Sequence, residues 1–162
     1  MKKILIFGNS GAGKSTLAKQ LCQQHGYQHL DLDTLAWLPE MPPVRKALSD
    51  SMAEIEVFMG STENWVIEGC YTDLLELVAE YADQIIFMDL PVKDCIANAE
   101  NRPWEPHKYE SKAVQDANLP MLKEWISQYE SRDDLFSRRS HQALFDRFPG
   151  NKTSYSSNVI VD

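Results

Sequence analysis

Four short apolar runs punctuate the chain, separated by stretches whose apolar residues recur at helical spacing. Ile4, Leu5, Ile6 and Phe7 form an unbroken run, as expected for a strand buried on both faces. A glycine-rich turn follows, then residues 15–25, in which Leu17, Ala18, Leu21 and Cys22 share one helical face. Gly26 stands where a left-handed C-cap belongs, and residues 27–32 read as a second strand. After Pro39, Pro42 and Pro43 the pattern predicts a helix over 44–58 and a third strand over 65–67, ending at Gly69. A helix over 74–81, a strand over 84–88 ending at Asp89, and a helix over 93–100 come next. Residues 101–112, with Pro103 and Pro106, read as a loop, and two further helices are expected over 119–130 and 133–148. A Pro149-Gly150 turn leads into a fifth strand over 158–161. Strands alternating with helices predict a three-layer α/β fold around a parallel sheet.

The turn after the first strand carries chemistry. Gly8-Asn9-Ser10-Gly11-Ala12-Gly13-Lys14-Ser15 fits G-x-x-x-x-G-K-[ST], and Thr16 follows it. It lies between an apolar run and an amphipathic helix, the context the motif requires. Glycines let the backbone curl so that successive N–H groups converge on an anion, and the helix start adds its positive dipole end. Lys14 is placed to bridge β- and γ-phosphates, and the Ser15 hydroxyl to ligate Mg²⁺. The sequence therefore predicts binding of a nucleoside triphosphate.

In open parallel sheets, ligands gather at the carboxyl ends of the strands. Asp31 and Asp33 end the second strand, and Asp89 ends the fourth after Ile85-Ile86-Phe87-Met88. Asp31 and Asp89 are candidate Mg²⁺ anchors, partly through water, and Asp33 a candidate to accept a proton from an attacking hydroxyl. Asp31 and Asp33, two apart, point to one side if the strand persists. Arg45 and the backbone at Gly69 are candidate substrate contacts. Arg102, Arg132, Arg138 and Arg139 supply positive charge in the second half, with Arg102 and Arg132 the candidates to close over the γ-phosphate.

Composition narrows the partners. The chain has 162 residues, 43% hydrophobic and 25% charged, which fits one domain with a substantial core. A net charge of −8 disfavours nucleic acid as a partner. Residues 47–92 hold ten acids and no Lys or Arg, whereas 93–152 hold ten bases and ten acids. No apolar run nears the ~20 residues of a membrane helix, and the N-terminal run, shorter than a signal-peptide core, is not expected to act as one. Cys22, Cys70 and Cys95 are odd in number and far apart, which suits a reducing, cytoplasmic setting.

With these residues in place, the chain resembles the small P-loop kinases of the adenylate kinase, shikimate kinase and gluconate kinase group. It is most similar to the kinase-like proteins that carry the name DNA topology modulation protein. The resemblance rests on residues 8–16, on His29-Leu30-Asp31-Leu32-Asp33 with Trp37, on Trp65-Val66-Ile67-Glu68-Gly69, and on Phe87-Met88-Asp89-Leu90-Pro91. It implies a five-stranded parallel sheet in the order 2-3-1-4-5, a lid over about 101–112, and ATP as donor. It also maps Asp31 and Asp33 onto the Asp-x-Asp used for metal and substrate hydroxyl, and Arg102 onto a lid-side arginine that packs on adenine or reaches phosphate. Two departures matter. Enzymes of this group that act on nucleoside monophosphates clamp the acceptor phosphate with several arginines, where this chain offers only Arg45 and Lys46. The lid also lacks the cysteine pairs of zinc-bearing lids.

The expectation from sequence is an ATP- and Mg²⁺-dependent phosphotransferase acting on a hydroxyl of a small-molecule acceptor, working as a monomer or homodimer. The alternative is a low-turnover nucleotide-binding regulatory protein acting through a macromolecular partner. A GTPase is disfavoured, since Asn151-Lys152-Thr153-Ser154 lacks the aspartate that guanine recognition needs.

Overall fold

Alternate residues of the central strands point to opposite faces of a sheet, and each face has its own core. The computed structural model describes residues 2–40 and 42–159. The sheet comprises β1 (Lys3–Gly8), β2 (Gln28–Asp31), β5 (Trp65–Gly69), β6 (Gln84–Met88) and β7 (Asn151–Tyr155), all parallel, in the order β2-β5-β1-β6-β7. A small antiparallel ribbon, β3 (Trp37–Leu38) with β4 (Val44–Arg45), lies apart from it. The ribbon takes two labels, so the numbering differs from the expected 2-3-1-4-5. Counted alone, the parallel strands keep that order.

The helices are α1 (Lys14–His25), α2 (Leu48–Gly60), α3 (Thr72–Ala79), α4 (Val92–Glu100), α5 (Lys112–Ser127) and α6 (Arg138–Arg147). On one face, Leu5, Phe7, Ile67, Ile85 and Phe87 pack against Ile55 of α2, Leu74, Leu75 and Val78 of α3, and Leu144 of α6. On the other, Ile4, Ile6, Val66, Ile86 and Met88 pack against Leu17 and Ala18 of α1, Cys95 and Ala99 of α4, and Ile126 of α5. This is the three-layer α/β arrangement, and it explains why the inner strands carry no polar alternation.

Three expectations are corrected. The helix expected from residue 44 begins at Leu48, because Val44 and Arg45 pair with Leu38 and Trp37 in the ribbon. The helices expected over 119–130 and 133–148 become α5 and α6, which start where Ser111 and Ser137 accept hydrogen bonds from the Val114 and Ser140 amides. The last strand is the polar segment 151–155 and not 158–161; Asn158 and Val159 lie outside any strand, and 160–161 fall outside the described residues. An edge strand is not enclosed on both faces, so it needs no apolar run.

One buried polar pair braces the sheet behind the strand ends. His141 of α6 is fully buried against Phe7 and Phe87. Its Nε2 donates to the Cys70 carbonyl at 2.9 Å, and Nδ1 accepts from the Tyr129 hydroxyl at 2.7 Å. Accepting at Nδ1 requires neutral imidazole, and burial pushes the pKa down to about 4. The unfolded chain takes up that proton near pH 6.5. Stability therefore falls as pH drops from about 6.5 to about 4 and levels off below, by about 3 kcal/mol from this group. Urea unfolding at pH 7 and pH 4.5 checks this: wild type is expected to lose more stability between the two than His141→Gln, and equal losses would refute the assignment.

Candidate active site

The phosphate loop joins β1 to α1. Gly11 has φ +78° and Gly13 φ +83°, both in the left-handed region that glycine alone enters freely. The loop is anchored from below: Asn9, 4% exposed, donates through Nδ2 to the Ile126 carbonyl of α5 at 3.3 Å. Asn98 of α4 donates to the Gly11 carbonyl at 2.8 Å. The Lys14 ammonium donates to the Asn9 carbonyl at 2.6 Å, which holds it over the loop.

A cavity of about 370 Å³ opens above this loop. Its lining includes Lys14, Ser15, Thr16, Asp33, Glu68, Arg102, Glu105 and Lys108, so the phosphate loop, the strand ends and the 101–111 segment meet at one place. Asp33 does not continue β2. The strand stops at Asp31, whose Oδ1 accepts from the Asp33 amide at 2.9 Å and caps the 3-10 turn Leu32–Thr34. The two carboxylates still converge, because the Lys108 ammonium lies 2.8 Å from Asp33 Oδ2 and 3.4 Å from Asp31 Oδ2. Tyr71 donates to the other Asp33 oxygen, and Trp37 Nε1 donates to the Tyr71 hydroxyl at 2.8 Å.

Charge is unevenly held here. Burial, with Glu68 and Asp33 nearby, pushes the Asp31 pKa up to about 6 against the pull of Lys108. Burial acts the same way on Asp33, but the Lys108 charge and the Lys108 and Tyr71 hydrogen bonds outweigh it and hold this carboxyl below its ordinary range. Glu68, almost fully buried at the end of β5, is likewise held low despite burial, by His29, Lys14 and Ser15. Ser15 Oγ donates to Glu68 Oε2 at 2.5 Å, and His29 Nε2 stands 3.7 Å from the same oxygen. Among the described residues, no three His, Cys, Asp or Glu side chains form a metal cage. The Ser15 and Glu68 oxygens are hard donors that suit an ion which keeps waters and takes further ligands from a nucleotide, as Mg²⁺ does.

Several residues expected at the site are committed elsewhere. Asp89 forms a two-pronged pair with Arg138, Nε at 2.9 Å and Nη2 at 2.7 Å. Arg132 lies over the Trp125 ring, 3.5 Å from its centroid, and pairs with Asp134 at 3.2 Å. Arg45 pairs with Asp73 at 3.2 Å and covers the Tyr71 ring at 4.8 Å. Gly69 serves packing, since a Cβ there would stand 2.9 Å from the Leu32 side chain. None of these four is among the described residues that line the cavity. Arg102 does line it, held by Glu105 at 3.2 Å.

Sequence reasoning missed Glu68 as a carboxylate of the site, although it ends a buried apolar strand much as Asp89 follows one. It missed Lys108 and Tyr71 as partners of Asp33, and no local signal marks either.

Comparisons with known proteins bear on the family and the fold. A family model described as AAA domain matches residues 4–87, which spans β1 through most of β6. The chain belongs to this AAA domain family. The AAA domain match includes the phosphate loop, Asp31, Asp33 and Glu68, and it stops short of the segment carrying Arg102 and Lys108. YqaC of Bacillus subtilis (strain 168), whose name calls it uncharacterized, is 26% identical over 147 residues, covering 87% of this chain and 80% of its own. The fold is shared with a gluconokinase from Sinorhizobium meliloti 1021, at a TM-score of 0.55 and 16% identity over 98% of this chain and 84% of that one. A sugar kinase from Janibacter sp. HTCC2649 matches with TM-score 0.55 and 12% identity, covering 96% and 85%. A deoxyadenosine kinase from M. mycoides with bound dCTP matches with TM-score 0.51 and 14% identity, covering 99% and 93%. The AAA domain chain thus has a P-loop kinase-like fold. No described helix is long and apolar enough to cross a membrane.

Proposed function

We propose that this chain is an ATP-dependent phosphotransferase that moves the γ-phosphoryl group to a hydroxyl of a small-molecule acceptor. The observation that carries the reading is one cavity lined both by Lys14 and Ser15 of the phosphate loop and by Asp33. Phosphoryl transfer needs charge stabilisation on one side of the γ-phosphorus and a placed hydroxyl on the other. Lys14 offsets charge developing on the β- and γ-phosphate oxygens. Asp33, kept ionised by its neighbours, accepts the hydroxyl proton. The hydroxyl oxygen bonds to the γ-phosphorus while the bond to the bridging oxygen breaks and its electron pair leaves with ADP. Ser15 and Glu68 would hold Mg²⁺, which when bound supplies positive charge to the β- and γ-phosphates. Arg102 sits on the cavity rim, where a guanidinium can meet phosphate or stack on a base.

This reading disfavours a phosphorylated acceptor. Arg45 and Lys46, the cations between β2 and β6, are paired with Asp73 and Glu54. That solved structures sharing the fold carry kinase names favours phosphotransfer over other uses of a phosphate loop.

The test is ADP formation with Mg·ATP, alone and with fractionated cellular metabolites. One fraction is expected to stimulate wild type, and the stimulation to vanish in Lys14→Ala. Tight ATP binding with no fraction-dependent turnover would overturn the kinase reading in favour of a nucleotide-binding regulatory protein.

A further inference from the structure

The two oxygens of Asp33 have partners of different kinds. Oδ1 accepts from Tyr71, which is 3% exposed and lies just before α3. Tyr71 is fixed in turn by the Trp37 indole and by Arg45, itself tied to Asp73 and to the Ala36 carbonyl. These contacts come from the β3–β4 ribbon and the start of α3 and not from the 101–111 segment, so the Oδ1 donor does not depend on Lys108.

Oδ2 accepts from Lys108, which belongs to the 101–111 segment, where no helix or strand forms. That segment is bonded within itself and to its flanking helices. Trp104 Nε1 donates to the Tyr109 carbonyl at 3.0 Å, Gln115 bonds the Glu105 amide and the Pro103 carbonyl, and Asn118 donates to the Tyr109 hydroxyl at 2.9 Å. Its grip on the strand-end carboxylates is through Lys108, with His107 standing 4.0 Å from Asp31. Burial lowers the Lys108 pKa, but Asp33, Asp31 and Glu105 outweigh it and raise it above its ordinary value, so the ammonium stays charged. Lys108 lines the same cavity as Asp33, and its ammonium takes up space beside Oδ2 that an incoming hydroxyl must enter.

We propose that Lys108 is a specificity-determining residue that holds Asp33 Oδ2 against water until the acceptor hydroxyl displaces it. This rests on the kinase reading above. Water and an acceptor hydroxyl attack in the same way: oxygen bonds to the γ-phosphorus, the bond to the bridging oxygen breaks with its electron pair leaving on ADP, and the proton passes to Asp33 Oδ2. Water attack yields ADP and inorganic phosphate. A donor already bound to Oδ2 denies water its base, whereas an acceptor held by further contacts can replace that donor.

The test is acceptor-free ADP formation at saturating Mg·ATP. Lys108→Met keeps most of the stem and removes the charge, and is expected to hydrolyse ATP about tenfold faster than wild type or more. Lys112→Met, at an exposed cation paired with Asp116, is expected to match wild type. If the Met variant melts lower than wild type, Lys108→Gln is read in the same assay. A folded, ATP-binding Lys108 variant that hydrolyses no faster than wild type overturns the proposal. If metabolite fractions stimulate wild type in that case, the kinase reading stands and this inference alone falls. If neither the fractions nor the Lys108 variants raise ADP formation above Lys14→Ala, both fall.

Discussion

Asp33→Asn is expected to lower acceptor-dependent ADP formation by about 10²–10⁴-fold, the usual worth of a placed general base. The substitution nearly preserves volume, and an amide oxygen still accepts from Tyr71. Lost are the proton-accepting charge and the charge-assisted bond with Lys108, now 2.8 Å long. Because Lys108 retains Asp31 and Glu105 at 3.4 and 3.6 Å, the ammonium is not stranded, and folding should persist. Phosphate binding rests on the backbone of the loop and on Lys14, so Mg·ATP affinity should change by less than about threefold, an effect well under 1 kcal/mol. Turnover and nucleotide titration, made on the same preparation, separate the two. Undiminished turnover would remove Asp33 from the chemistry; a parallel loss of ATP binding would show that it supports the loop and not the acceptor.

Gly11→Ala is expected to cost about 3 kcal/mol or more and to abolish tight nucleotide binding, while Gly26→Ala costs about 1 kcal/mol. Both glycines have left-handed backbone, φ +78° and +74°, so both substitutions carry the same conformational penalty. Their surroundings differ. A Cβ on Gly11 would stand 2.3 Å from the Cys95 carbonyl oxygen and 3.1 Å from its carbon, backbone atoms of α4 that have no rotamer to change. A Cβ on Gly26 meets nothing within 4 Å. Relief at Gly11 must therefore come from moving the phosphate loop off α4, which spoils the convergence of its N–H groups. Denaturant unfolding of the pair isolates the steric cost, and nucleotide titration reads its effect on the loop. If Gly11→Ala unfolds with Gly26→Ala and still binds nucleotide, the close approach to α4 is dispensable.

What was legible in the chain was local. The phosphate loop is eight consecutive residues whose geometry comes from their own glycines, so reading them requires no knowledge of the fold. The inner strands announce themselves because burial on both faces demands unbroken apolar runs, and their parallel arrangement follows from alternating them with amphipathic helices. Where one side of an element is open, that demand lapses, and the polar edge strand 151–155 went unseen beside the more apolar 158–161. Asp31 and Asp33 were visible as strand-end acids. Their division of labour was not, because it depends on Lys108, 75 residues from Asp33, and on Tyr71, 38 residues away. The same holds for Glu68, which meets Ser15 across 53 residues, and for Asp89 and Arg132, whose charges are spent on Arg138 and Asp134. Sequence by itself determined that the chain folds as an α/β phosphate-loop protein, because backbone conformation and burial periodicity are short-range properties. Only the tertiary structure decided which charges face the phosphate loop, because an ion pair depends on distance in space, and the chain's crossovers set that distance without leaving a mark at either residue.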